Sequence, residues 1–454
     1  MIFSLEIISI LYGIVGVVYI VIAVRGILRQ NDIHIFDLIR LMYAFVYGFV
    51  PCLIYFQESQ GERNLYFYDY SDEGIGRIAL MFVVSIIAYG LINLSYKSVY
   101  KTDTFGLIQE GITSDEQADI SRRLLRSGII ALFIGWFCLV LWTRAYGSIS
   151  NFIIYASAIR SGRGSVYNRF AFVKQFVRIM PISLYAIISA YCYELPKGTK
   201  KLFYFLLIAI STIGNYYYFM ASDSRVTIIF IGIAIVMIFL RHRRHERVGR
   251  YLGIVAVTVF VLLLATMLAD TFTSYVRYGA WTTSSEGLFS RLTKEFRFIC
   301  SAEMKVSKAW FAGDLHYKLG DDFLNAITSW IPERFIPFTV PDTVWKYNTN
   351  LYGAVGSGTS PSSLVATGIY ELGLVGAIIF PFFFGLIAGY TDKKLWKSSS
   401  IVYADVYYGV FVGLFVQMVS HNQISTFVMS LFPAFLYFLI TYLLDHVTLL
   451  RRLK

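Results

Sequence analysis

Residues 4–24 read SLEIISILYGIVGVVYIVIAV, an apolar run closed by Arg25 and Arg29. As a helix, such a run crosses the roughly 30 Å hydrocarbon layer of a bilayer, which takes about 20 residues. The pattern recurs along the chain, and about eleven runs meet the same criterion. They lie at 4–24, 36–56, 76–96, 127–144, 177–195, 202–221, 226–240, 251–271, 369–390, 401–420 and 426–445. The chain of 454 residues is 57% hydrophobic and 15% charged, too apolar for a water-soluble globule of this length. It therefore reads as an all-α polytopic membrane protein. Only Ser222-Asp223-Ser224-Arg225 separates the sixth run from the short seventh, so the two form either a tight hairpin or one broken element. The first run has neither a basic front region nor a small-residue cleavage site, and is expected to stay in the mature protein.

Charge sets the orientation. Arg25 and Arg29 follow the first run, Lys97, Lys101, Arg122, Arg123 and Arg126 the third, and Lys197, Lys200 and Lys201 the fifth. Arg241, Arg243, Arg244, Arg247 and Arg250 follow the seventh, Lys393, Lys394 and Lys397 the ninth, and Arg451, Arg452 and Lys454 close the chain. Every second connection is basic, which by the positive-inside rule places the N-terminus outside and the C-terminus in the cytoplasm. The net charge of +11 is thus spread over helix ends rather than gathered on one soluble face, which argues against nucleic acid as a partner. Cys52, Cys138, Cys192 and Cys300 are too scattered for a disulfide framework or a metal site.

The chain divides into an N-terminal bundle of spans over 1–271, a large extracytoplasmic loop over 272–368 and C-terminal spans over 369–454. The large loop is too long and too aromatic for a mere connector. Ser284-Ser285-Glu286-Gly287, followed by the spacing of Leu288, Leu292, Phe296 and Ile299, predicts an amphipathic helix over 286–308. Asp321 or Asp322 starts a second through Trp330, and the aromatic, glycine-rich stretch from Tyr347 to Gly358 reads as loop.

Basic residues in translocated loops run against the orientation rule. Arg144, Arg160, Arg163 and Arg169 lie in the first outer loop, and Arg277, Arg291, Lys294, Arg297, Lys305, Lys308, Lys318, Arg334 and Lys346 in the large one. One reading is ordinary solvated charge on a soluble subdomain. The other is anion binding: the planar guanidinium holds phosphate oxygens two at a time, and the glycines of Ile159-Arg160-Ser161-Gly162-Arg163-Gly164 let backbone N–H groups approach the same anion. Arg160, Arg163, Arg169, Arg291, Arg297 and Arg334 are accordingly the candidate pyrophosphate ligands. Arg225 stands near membrane depth, where an ionisable group is expensive, with Asp223 as its alternative partner. Outward carboxylates include Asp223, Glu286, Glu295, Glu303, Asp314, Asp321, Asp322, Glu333, Asp342 and Glu371, and outward histidines are His316 and His421. Arg225, Asp223, His421 and Glu371 are taken as the catalytic candidates, although no pair has diagnostic spacing. His242 and His245 stand three apart like metal ligands, but the arginines around them repel a divalent cation. Neither a Walker loop, a dinucleotide fingerprint, a zinc-protease motif nor a Gly-x-Ser-x-Gly elbow is present, so no metal or cofactor is expected.

The layout resembles the O-antigen and oligosaccharide repeat-unit polymerases, the Wzy-type proteins. The likeness rests on the span count, the arginine-bearing outer loop, Ala221-Ser222-Asp223-Ser224-Arg225 opening a span, and Thr359-Ser360-Pro361-Ser362-Ser363 before Tyr370-Glu371-Leu372-Gly373-Leu374-Val375-Gly376. The resemblance implies a GT-C-like, metal-independent inverting glycosyltransferase. Its substrates, donor and acceptor alike, would be undecaprenyl-pyrophosphate-linked oligosaccharides, with outer-loop arginines on the donor phosphates and a flippase and a chain-length regulator as protein partners. The related ligases carry a His-Asn where Ser360-Pro361 stands here, so no ligase histidine transfers to His421 or His316. Trp281, Trp310, Trp330 and Trp345 are candidates to stack on sugars or to anchor the interface. The rival readings are a transporter of the same lipid-linked substrate, a ligase, and a non-catalytic envelope scaffold.

Overall fold

The computed structural model describes residues 4–30, 33–59, 71–100, 113–152, 155, 168, 170–221, 225–242, 288–328, 331, 335–351, 361–397 and 402–452, and no strand occurs among them. The elements are α1 (Leu5–Gln30), α2 (Ile35–Ala44), a π-helical turn (Phe45–Phe49), α3 (Val50–Ser59), α4 (Asp72–Val99) and α5 (Ser114–Thr143). They continue with α6 (Lys174–Val177), α7 (Met180–Glu194), α8 (Gly198–Ala221) and α9 (Arg225–His242). The large loop contributes α10 (Leu288–Phe311), α11 (Asp321–Thr328) and α12 (Val344–Leu351), and α13 (Leu364–Lys397), α14 (Ala404–Ser420) and α15 (Ile424–Arg452) follow.

Among the described residues, 8 helices are long and apolar enough to cross a membrane, and two shorter apolar ones, Thr227–His242 and Ala404–Ser420, accompany them. The apolar run at 251–271 lies outside the described residues. Lipid is the solvent that explains the surface. Along α1, Ile7, Ile10, Ile14, Val17, Val18, Val21, Val24 and Leu28 are all exposed, and α4, α5, α8 and α13 likewise expose large apolar side chains. A helix apolar on every face cannot present such a surface to water. The chain is a multi-pass α-helical membrane protein.

It forms two compact units. One comprises residues 1–104, 285–393 and 415–428. In it α1 crosses the π turn where Gly16 meets Gly48, and a Cβ on Gly48 would overlap the Gly16 backbone. The turn has a local cause: Pro51 has no N–H to return to the Tyr47 carbonyl, and the helix widens there. At the far end of α2, Arg40 binds Asp37 at 3.1 Å and Asn93 at 3.1 Å. Asp392 accepts from the Ile35 N–H at 3.2 Å and from the Tyr96 hydroxyl at 2.5 Å, so that one carboxylate ties three helices.

The second unit comprises residues 105–284, 394–414 and 429–454. Gly128 and Gly135 bring α5 close against Ala186, Ile187 and Met180 of α7. Buried hydroxyls join helices where lipid offers no partner: Ser121 to the Ala190 carbonyl at 2.9 Å, Ser127 to Tyr437 at 2.8 Å, and Ser183 to Ser211 at 2.9 Å. Asp405, 2% exposed, is bracketed by Arg241 at 2.8 Å and His242 at 2.9 Å. His242, one of the two histidines spaced like metal ligands, is thus engaged by a carboxylate.

Candidate active site

The large-loop helix α10 lays its apolar face against the π turn, α3 and α4, with Phe296 edge-on to Phe45 at 5.1 Å. The sequence expects this helix at 286–308, and it runs from Leu288 to Phe311. Seating it there buries Glu303 to 5% exposure. The Ser363 hydroxyl donates to Glu303 Oε1 at 2.5 Å, and the Tyr47 hydroxyl also bonds that carboxylate. Ser363 holds its position because its Oγ accepts the Ala366 N–H at 3.0 Å, capping α13. Tyr47 is aimed inward by the π turn, and such turns recur at functional sites. Burial pushes the Glu303 carboxyl up to about 7, against which the two hydroxyl bonds pull only partly.

The same loop is bolted to α13 through Glu371. Helix α13 breaks at Leu372 (φ −133°, ψ 20°) and Gly373 (φ 62°, ψ −154°). The chain folds back so sharply that the Gly368 and Gly376 backbones touch, and Trp310 of α10 lies on Gly373 with no room for a Cβ. Glu371, 1% exposed, stands at this break. Its carboxylate accepts the N–H groups of Gly320 at 2.6 Å and Asp322 at 2.8 Å, capping α11. Its carbonyl accepts those of Lys318 at 3.1 Å and Leu319 at 3.2 Å. Of the catalytic candidates, Glu371 is therefore engaged in holding the loop on the broken helix.

Asp322 repeats the device. Its Oδ1 accepts the Val344 N–H at 3.0 Å at the start of α12, and the Ile424 N–H at the start of α15 also faces it. Burial, reinforced by the Glu371 and Asp321 charges, raises its carboxyl to about 7 even against those two N–H groups. α12 covers part of the stretch read from sequence as loop. Thr343 Oγ1 accepting the Lys346 N–H at 3.3 Å and the Asp322 carboxylate supply the caps that favour a helix there.

His421 lies in the turn between α14 and α15, with Nδ1 3.0 Å from Ser420 Oγ and its ring against Phe296 (5.9 Å) and Trp345 (6.4 Å). Burial lowers it to about 4, so it is neutral at physiological pH. Glu303 is two turns further along α10 than Phe296, about 10 Å along the axis. Arg297 is half-buried on α10 with its guanidinium 5.4 Å over the Phe298 ring. Arg297, Ser301, Lys305 and Lys308 recur at helical spacing and form one stripe, in which burial brings Lys305 down to about 8.

Of the sequence candidates, His421 packs against α10 at Phe296, Arg297 stands on the same helix, and Glu371 holds the start of α11. Arg225 opens α9 and Arg291 lies in α10, but their side chains, like all of Asp223, Arg160, Arg163, Arg169 and Arg334, lie outside the described residues. Glu303 and Asp322 stand in the sequence among ten similar carboxylates, and nothing local separates them. Tyr47 carries one signal, Pro51 four residues on. No group of three or more His, Cys, Asp or Glu side chains suited to a metal ion occurs among the described residues. Comparison with protein-family models, curated proteins and solved structures finds no match to this chain.

Proposed function

We propose that this chain is a glycosyltransferase that polymerises undecaprenyl-pyrophosphate-linked oligosaccharide repeat units on the outer face of a bacterial cytoplasmic membrane, with its N-terminus outside and its C-terminus in the cytoplasm. The observation that carries the reading is Glu303: a buried carboxyl on a large-loop helix seated against membrane spans, next to two hydroxyls and near neutrality in its titration. A general base works best when its pKa lies near the working pH. In the proposed step the acceptor hydroxyl gives its proton to Glu303 while its oxygen bonds to the anomeric carbon of the donor. The bond from that carbon to the pyrophosphate oxygen breaks on the opposite face, and the configuration inverts. The departing undecaprenyl pyrophosphate takes the electron pair, and its charge falls to the large-loop arginines Arg291, Arg297 and Arg334. Arg160, Arg163, Arg169 and Arg225, the last with Asp223 two residues before it, are the further arginines that the sequence marks for phosphate binding. His421, neutral and weakly basic, orients groups in this scheme rather than taking the proton.

A strain lacking the gene tests the reading: it is expected to accumulate single lipid-linked repeats and to lose long polymer, and normal chain length would eliminate it. One observation favours a second reading, transport of the same lipid-linked substrate. Broken helices and buried protonatable carboxyls are also the parts of proton-coupled transporters. A transporter would move labelled lipid-linked repeats across liposomes without lengthening them.

A further inference from the structure

The short helix α11 turns its apolar side outward. Phe323, 55% exposed, stands out from the molecule with Leu324 and Ile327, whereas Asp322, Ala326 and Thr328 are buried. The polar groups are used on the inner side. Asp322 Oδ1 accepts the Val344 N–H at 3.0 Å, Thr328 Oγ1 donates to the Leu324 carbonyl at 2.9 Å, and the Asn325 amide donates to the Pro341 carbonyl at 3.0 Å. Leu319, 76% exposed before the helix, and Ile331, exposed after it, extend the outward row of Phe323 and Ile327 at the same four-residue spacing. A helix at a water boundary has the opposite arrangement, polar side out and apolar side in. Exposed apolar side chains so concentrated along one stretch mark a surface that something apolar covers.

The fold fixes the depth of this face. The turn that leads into α11 is bonded to the break in α13: Lys318 and Leu319 donate their N–H groups to the Glu371 carbonyl, and Gly320 and Asp322 donate theirs to its carboxylate. Beyond the break, residues 373–395 rise about 33 Å at roughly 1.5 Å per residue, enough to cross the roughly 30 Å hydrocarbon layer of a bilayer. The break therefore marks the level at which α13 enters lipid, and α11 starts at that level. Val375 and Ile378, the first exposed side chains of α13 past the break, are apolar and belong to its lipid-facing surface. Trp310 lies on Gly373 itself, and the Tyr317 ring is 5.0 Å from it. Tryptophan and tyrosine at such a level are the side chains that sit at a headgroup boundary. An apolar row beginning where a span enters lipid, beside that aromatic pair, has the bilayer as its nearest apolar phase.

We propose that α11 is an interfacial membrane helix, its outward row of Leu319, Phe323, Leu324, Ile327 and Ile331 immersed in the phospholipid acyl chains of the leaflet on the large-loop side. Helices of this kind sink their apolar face about 5–10 Å into the boundary between headgroups and acyl chains. The loop that carries α10 is then held on the bilayer by lipid as well as by Glu371. The inference rests on the membrane architecture and stands or falls apart from the polymerase reading. Wild-type full-length protein tests it in liposomes of phosphatidylcholine and phosphatidylglycerol that include a phosphatidylcholine with a diazirine in its acyl chain. Photolysis and peptide mapping read contact with lipid, and hydroxyl-radical oxidation reads contact with water. Residues 319–331 are expected to take acyl-chain adducts at a yield comparable with residues 375–387 of α13 and several-fold above residues 342–346, where the side chains of Asp342 and Lys346 are exposed, and Phe323 is expected to escape oxidation. Oxidation of Phe323 and Ile327 without adducts would overturn the proposal in favour of water. Protection from oxidation without adducts would overturn it in favour of a protein cover, a second copy included. Phe323→Gln combined with Ile327→Gln leaves the buried side of α11 untouched, so a water-facing helix would tolerate the change. A lipid-bound one should loosen, seen as several-fold faster proteolysis of the large loop in liposomes, and unchanged protease resistance would likewise overturn the proposal.

Discussion

At the scale of single residues, burial decides what Glu303 does. Its carboxyl is held near 7 instead of the ordinary carboxylate value because the fold prefers the neutral form. The consequence for stability has a definite sign. Between pH 4.5 and about 7 the folded chain holds a proton there that the unfolded chain has lost, so this group's contribution falls as pH rises and levels off above 7. Glu303→Gln removes the titration. Its Tm should match wild type near pH 4.5 and exceed it increasingly up to pH 7, by an amount equivalent to about 3 kcal/mol on a plateau above that. A constant difference across the range would mean the carboxyl is ionised in the fold. Catalysis should respond oppositely: wild-type elongation rises with pH through about 7 as the base form appears, and Glu303→Gln is inactive while folding normally. Arg160→Ala and Arg225→Ala should each abolish elongation and leave membrane insertion intact, read by polymer length and by protein level in membranes. Retained polymer in both would remove Arg160 and Arg225 from phosphate binding.

At the scale of elements, the apolar spans were readable because lipid leaves so few solutions: a run of the right length becomes a helix. Leu288, Leu292, Phe296 and Ile299 were enough to find α10, since a stripe at helical spacing in a polar segment needs a surface to cover. What composition hides is interruption. Leu372-Gly373 reads as part of one apolar run, yet a positive φ at Gly373 and the Trp310 ring against it break α13 and place Glu371 at the breakpoint. Tyr347–Leu351 reads as loop because its caps, Asp322 above all, come from elsewhere in the chain. The site residues follow the same division: charge and chemistry mark Arg297 and His421 in the sequence, whereas Glu303 gains its character from burial, beside Ser363 and Tyr47 from far away along the chain. Gly373→Ala brings a Cβ onto Trp310 at a φ that L residues avoid. It should destabilise by about 1–3 kcal/mol, seen as a lower Tm and as proteolysis of the loosened large loop. A Gly373→Ala protein with unchanged Tm and protease resistance would show that the break does not hold that loop.

At the scale of the molecule, polar ties at the helix ends hold bundles that lipid alone would not discriminate. Hydrophobic burial gives little preference for one helix neighbour over another inside a bilayer, so hydrogen bonds and ion pairs carry the specificity. In the second unit Asp405 does this for Arg241 and His242. Asp405→Ala strands a guanidinium that is 9% exposed, a loss of about 3–5 kcal/mol, and should show as poor accumulation in membranes and a strongly reduced Tm. Normal accumulation would make that network dispensable. The central claim, that the large loop seats a base beside the spans to lengthen a lipid-linked glycan, is tested most directly by reconstitution. The purified chain in liposomes is given undecaprenyl-pyrophosphate-linked repeats and nothing else. A ladder of multiples of the repeat, absent with Glu303→Gln, is the result the account predicts. Single repeats left unchanged by properly folded wild-type protein would contradict it.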